Sequence, residues 1–134
     1  MNDNATTVLL VDDDEDFLLQ EQSLLERAGF RVVPARSEQE AQQQLDAQQP
    51  NLAVLDLMMG TTDAGFTLAY RIKQRWPDLP VIMVSSVHAQ TGIDFDLSDP
   101  RRRKWLHADA FLAKPIRFEQ LQAEIDRLMP AQPK

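Results

Sequence analysis

Carboxylates, a hydroxyl and an ammonium follow closely on short apolar runs in this chain, and together they suit phosphate chemistry. Asp12, Asp13 and Asp14 come directly after Val8–Val11, Asp56 after Leu52–Leu55, Ser85 after Val81–Val84, and Lys114 shortly after Ala110–Leu112. Carboxylates from neighbouring strand ends repel one another, and a hard divalent cation removes the conflict. Mg2+ suits a site made of a few carboxylates, waters and a phosphate. A cation alone leaves Ser85 and Lys114 without a role. A phosphoryl group gives them one, because its oxygens need a metal, a hydroxyl donor and an ammonium to disperse charge. One carboxylate is then the nucleophile that accepts it as an aspartyl phosphate.

Each residue has a plainer reading when taken singly. An acidic cluster such as Asp12–Asp16 is favourable at any helix N-terminus, and Asp14 is placed to cap the helix that follows. Asp56 could be a turn residue, Ser85 a strand-end hydroxyl and Lys114 a solvated lysine. What sets these readings aside is convergence. In an open parallel sheet, ligands bind beyond the carboxyl ends of the strands, and every one of these groups falls on that rim.

The elements that would position them are legible as alternating patterns. Val8–Val11, Leu52–Leu55 and Val81–Val84 are continuous apolar runs, as expected of strands buried on both faces. Phe30–Ala35 and Ala110–Leu112 complete a set of strands. Between them, Phe17, Leu18, Leu24, Leu25 and Ala28 recur at helical spacing up to Gly29. Ser37 opens a Gln-rich helix reaching about Gln49, closed by Pro50, and Phe66, Ala69, Ile72 and Trp76 share one helical face ended by Pro77. Phe118, Leu121, Ile125 and Leu128 make a last amphipathic helix, stopped by Pro130. Strands alternating with helices predict βαβ units, a parallel sheet and helices on both faces. The stretch 88–107 breaks the rhythm and is expected to be irregular. The expected organisation is a polar segment 1–6, one domain over 7–129 and a tail 130–134.

Composition narrows the function. The chain has 134 residues, a net charge of −7 and no cysteine, so it offers no broad basic face for nucleic acid and no thiolate chemistry. The run Arg101–Lys104 is too short to reverse this, and His88 and His107 lack metal-ligand spacing. No apolar run approaches the length of a membrane span.

Read together, Val11-Asp12-Asp13, Leu55-Asp56-Leu57-Met58-Met59, Val84-Ser85-Ser86 and Phe111-Leu112-Ala113-Lys114-Pro115 resemble the receiver domains of two-component response regulators. The resemblance runs through nearly the whole chain, in order. It implies a three-layer, doubly wound, flavodoxin-like α/β fold with five parallel strands in the order 2-1-3-4-5. It implies Asp56 as phosphoacceptor and Asp12, Asp13, Asp56 and the Met58 carbonyl around Mg2+. Ser85 and Lys114 would bind phosphate oxygens, Phe111 would be the switch aromatic, and Pro115 is the candidate for a cis proline. The donor would be a sensor histidine kinase or a phosphotransfer protein. The protein would be a cytoplasmic signalling phosphoacceptor rather than an enzyme, without a DNA-binding or membrane segment. It would act on a downstream protein, or through a phosphorylation-dependent homodimer.

The chain departs from the family pattern in three places. Gly60–Gly65 replaces the usual proline-bearing loop, residues 86–113 make a longer connection in which the helix after the fourth strand is not recognisable, and Met58 and Val87 offer no side chain to orient water. Two other functions compete. A haloacid-dehalogenase-type phosphatase would use Asp12 as nucleophile, but it would leave Asp56 idle and lacks the late acidic pair. A pseudo-receiver would keep the fold as an interaction module without being phosphorylated.

Overall fold

A computed structural model of the chain describes residues 6–56, 64–85, 108–114 and 116–129. Within them the order is β1 (Thr7–Val11), α1 (Glu15–Arg27), β2 (Arg31–Ala35), α2 (Glu38–Ala47), β3 (Leu52–Asp56), α3 (Ala64–Arg75), β4 (Val81–Ser85), β5 (Ala110–Ala113) and α4 (Phe118–Leu128). The strands form one parallel sheet in the order β2-β1-β3-β4-β5, as the resemblance implies. The stretch 88–107, Met58, Val87 and Pro115 lie outside the described residues.

Alternation along the buried strands divides the core into two layers. Leu9, Val11, Ala53, Leu55, Val81 and Met83 meet α2 and α3 through Ala41, Leu45, Leu68, Ala69 and Ile72. Val8, Leu10, Leu52, Val54, Ile82 and Val84 meet α1 and α4 through Leu18, Leu25, Leu121 and Ile125. The sheet is therefore covered on both faces, so its strands read as unbroken apolar runs. Pro34 is tolerated because β2 lies at the edge of the sheet, where a missing N–H need not break a ladder on both sides.

The helix ends follow local chemistry. Asp14 caps α1, its carboxylate accepting from the N–H groups of Asp16 and Phe17. At the other end Gly29 takes φ 101°, a conformation glycine adopts without strain. There Phe30 N–H donates to the Leu25 carbonyl and Gly29 N–H to that of Glu26, closing the helix in a Schellman motif. Ser37 caps α2 as expected, but α2 ends at Ala47 rather than near Gln49. Gln48 is already extended, and Pro50 also disfavours a helical Gln49, so the break reaches back from the proline. Similarly, β2 starts at Arg31, because Phe30 is taken up by the closing turn of α1.

One residue of α1 departs from the apolar pattern. Glu21 lies three residues after Leu18 and four before Leu25, on the face that packs on the sheet, and is only 1% exposed. Its Oε1 has no hydrogen-bond partner among the described residues, and burial pushes its carboxyl above the ordinary value.

Candidate functional site

Parallel pairing brings the chemistry-bearing strand ends to one edge of the sheet. Val11 pairs with Leu55 across β1 and β3, which sets Asp12 and Asp56 side by side. Asp56 in turn pairs with Val84, and Ser85 with Ala113, the residue before Lys114. Each polar group thus comes from a different strand but shares one rim. The backbone place of Ser85 is described; its side chain is not.

Asp12 and Asp56 are the buried members, 0% and 6% exposed. Asp13 is exposed beside them, and the three offer carboxylate oxygens within 4.8 Å of one another. Opposite ligands on Mg2+ stand about 4.2 Å apart, given bonds of 2.0–2.1 Å. Only one pair can stand so, neighbouring ligands being about 2.9 Å apart, so the three carboxylates would close in about an ion; an all-carboxylate donor set suits a hard cation. The fit is good.

Lys114 reaches into the cluster. Its Nζ lies 2.8 Å from Asp12 Oδ2 and 4.0 Å from Asp56 Oδ2. Burial works against the ammonium charge, but the hydrogen bond to Asp12 and the charges of Asp12, Asp56 and Asp14 outweigh it, so its pKa is raised. The other Asp12 oxygen, Oδ1, accepts from the Asp14 N–H at 2.9 Å. Asp12 N–H itself donates to the Ala35 carbonyl, extending the β1–β2 ladder one residue into the site. Asp12 Oδ1 thus accepts a backbone hydrogen bond, while the buried Oδ2 is neutralised by the Lys114 charge.

Phe111 stands on β5, half-buried against the α2/α3 layer. Sequence reasoning did not connect Phe17 with this site. The Lys114 Nζ sits 4.5 Å from the centroid of its ring. The helical spacing of Phe17 marks it as a core residue, and nothing local signals the second contact.

A parallel sheet thus brings three carboxylates and a lysine together at its carboxyl edge, a set able to hold a hard cation beside an anionic ligand. The sequence pattern of the response regulator receiver domain matches residues 8–126. Among curated proteins, the chain is 34% identical over 133 residues to the transcriptional regulatory protein GltR of Pseudomonas aeruginosa, covering 96% of this chain and 51% of that protein. It is 31% identical over 124 residues to the heme response regulator HssR of Staphylococcus saprophyticus, covering 92% and 51%. In fold it is similar to a receiver domain protein of Methanospirillum hungatei, with a TM-score of 0.79, 24% identity and 96% of each chain covered. The chain belongs to the response regulator receiver domain family, the phosphoacceptor modules of two-component systems. It spans about half the length of these two curated relatives.

Proposed function

We propose that Asp56 is the phosphoacceptor of this receiver, taking a phosphoryl group from the phosphohistidine of a sensor kinase or a phosphotransfer protein. An Asp56 carboxylate oxygen attacks phosphorus, the P–N bond breaks, and its electron pair leaves with the imidazole nitrogen. The observation that carries this reading is the convergence of Asp12, Asp13 and Asp56 with Lys114 lodged between two of them. Mg2+ held by Asp12, Asp13, Asp56 and the Met58 carbonyl would neutralise charge building on the transferred group. Lys114 leaves Asp12 to pair with one phosphate oxygen, Ser85 binds another, and Phe111 follows Ser85 inward to change the surface seen by a partner. Pro115, as a cis proline, would fix the turn that aims Lys114. The chain promotes only its own phosphorylation and dephosphorylation, and it acts in the cytoplasm. Its output is a protein contact, either with a downstream partner or with a second copy of itself.

The match of residues 8–126 to the receiver family favours this reading over a phosphatase that would use Asp12 as its nucleophile. Borohydride reduction of the phosphorylated protein, followed by peptide mapping, locates the acyl phosphate directly. The reduced residue is expected at 56; reduction at residue 12 would overturn the assignment.

Charge crowding gives a second expectation. Asp13→Asn removes one like charge from the triad, so the metal-free protein should gain up to about 1 kcal/mol at low salt. The same change removes a ligand and should weaken Mg2+ binding by at least about tenfold. Thermal melts in chelator and Mg2+ titration calorimetry check the two signs. A metal-free protein that melts lower would count against crowding.

A further inference from the structure

The Lys114 ammonium has a third neighbour besides its two carboxylates, and that neighbour carries no lone pair. Its Nζ is 2.8 Å from Asp12 Oδ2, 4.0 Å from Asp56 Oδ2 and 4.5 Å from the Phe17 ring centroid. Phe17 is not loosely placed. It lies in the first turn of α1, and its N–H donates to the Asp14 carboxylate, which ties it to the acidic cluster. The ring also packs half-buried on the core between the sheet and α1/α4.

These contacts differ in what happens to them when the site is used. Asp12, whose Oδ2 holds Lys114, is also one of the three carboxylates placed to bind a cation, so cation and lysine compete for its negative charge. The ring competes for nothing: its face attracts an ammonium through the quadrupole and offers no ligand to a metal. We infer that Phe17 is a positioning residue for Lys114, holding the ammonium above the site as Asp12 is given up, so that it meets the incoming phosphoryl group without being released to solvent. The inference rests on the phosphate-pairing role proposed for Lys114.

The test compares phosphorylation of the whole chain by a small acyl phosphate at saturating Mg2+ in Phe17→Leu, Phe17→Tyr, Lys114→Met and the double variant Phe17→Leu/Lys114→Met. Phe17→Leu keeps apolar bulk for the core and loses the π face. Its maximal rate is expected to fall about three- to tenfold with little change in half-saturating donor, whereas Phe17→Tyr stays within about twofold of wild type. In the Lys114→Met background, Phe17→Leu should cost nothing more, because the partner is gone. Equal losses in both backgrounds, or no loss from Phe17→Leu alone, would overturn the inference while leaving Lys114 its role. An unchanged rate in Lys114→Met would instead sink the role of Lys114, and the inference with it. A readout independent of phosphorylation comes from the metal-free protein by NMR. Ring current should shift the Lys114 ε-methylene protons upfield, and Phe17→Leu should return them to ordinary values. Ordinary values already in wild type would show that the contact is not kept in solution.

Discussion

Lys114→Met should destabilise the metal-free protein by about 2–3 kcal/mol, and Mg2+ should restore most of the loss. Asp12 is fully buried, and among the described residues the ammonium is the only cation within ion-pair distance of it. Removing one partner of a buried pair leaves an uncompensated charge, which costs about 3–5 kcal/mol when both partners are fully desolvated. The Lys114 side chain is 20% exposed, so a smaller figure is expected here. A divalent cation can take over the neutralising task. For the same reason Lys114→Met should bind Mg2+ more tightly than wild type, since no ammonium competes for the Asp12 carboxylate. The pH dependence has a definite sign. The folded pKa of Lys114 is raised, so its contribution is fully present below the unfolded lysine value and is lost as pH climbs through the folded one. The gap between variant and wild type should therefore hold steady across neutral pH and close only in the alkaline range. Urea unfolding in chelator and in Mg2+ measures all of this. Equal stability in chelator would contradict the compensating role, and weaker Mg2+ binding would contradict the competition.

Glu21→Leu should stabilise the protein by about 2 kcal/mol at neutral pH, a gain well above that of most surface substitutions. Glu21 occupies a core position with an Oε1 unpartnered among the described residues, and leucine of similar length would fill it with apolar atoms. Burial raises the folded pKa of Glu21. Its protonated form therefore contributes stability below the unfolded value, and that contribution is lost as pH rises through the folded one. Wild type should thus weaken relative to Glu21→Leu as pH climbs from acid towards neutral, with Glu21→Gln following the flatter course of the leucine variant. Denaturant midpoints across that range check the direction. A leucine variant no more stable than wild type at neutral pH would show that the carboxylate finds a partner in solution.

These two residues mark where sequence reading succeeds and where it stops. Lys114 was recognisable because an apolar strand followed by a polar residue is a local pattern, and a parallel sheet carries such residues to one rim. The ends of α1 and α3 were legible for the same local reason, since Gly29 and Pro77 act within a residue or two. α2 fell short of Gln49 because the effect of Pro50 combined with an already extended Gln48. Strand order came from the resemblance, because spacing does not fix it, and the register emerges only in the folded sheet. Glu21 was visible in principle: Leu18, Glu21 and Leu25 share one helical stripe, yet a charged residue in a stripe reads as surface until its burial is seen. The contact of Phe17 with Lys114 had no local signature at all. It exists because α1 and the end of β5 meet only in the folded sheet.

The central claim is that this receiver carries its phosphoryl group on Asp56, and intact mass tests it most directly. The protein would be incubated with Mg2+ and a small acyl phosphate, with Asp56→Asn treated in parallel. One added phosphoryl group on wild type and none on the variant is the predicted result. No addition to wild type while Mg2+ still binds would contradict phosphoacceptor function and favour an interaction module. An adduct that persists in Asp56→Asn would place the chemistry on another carboxylate, with Asp12 the first to examine.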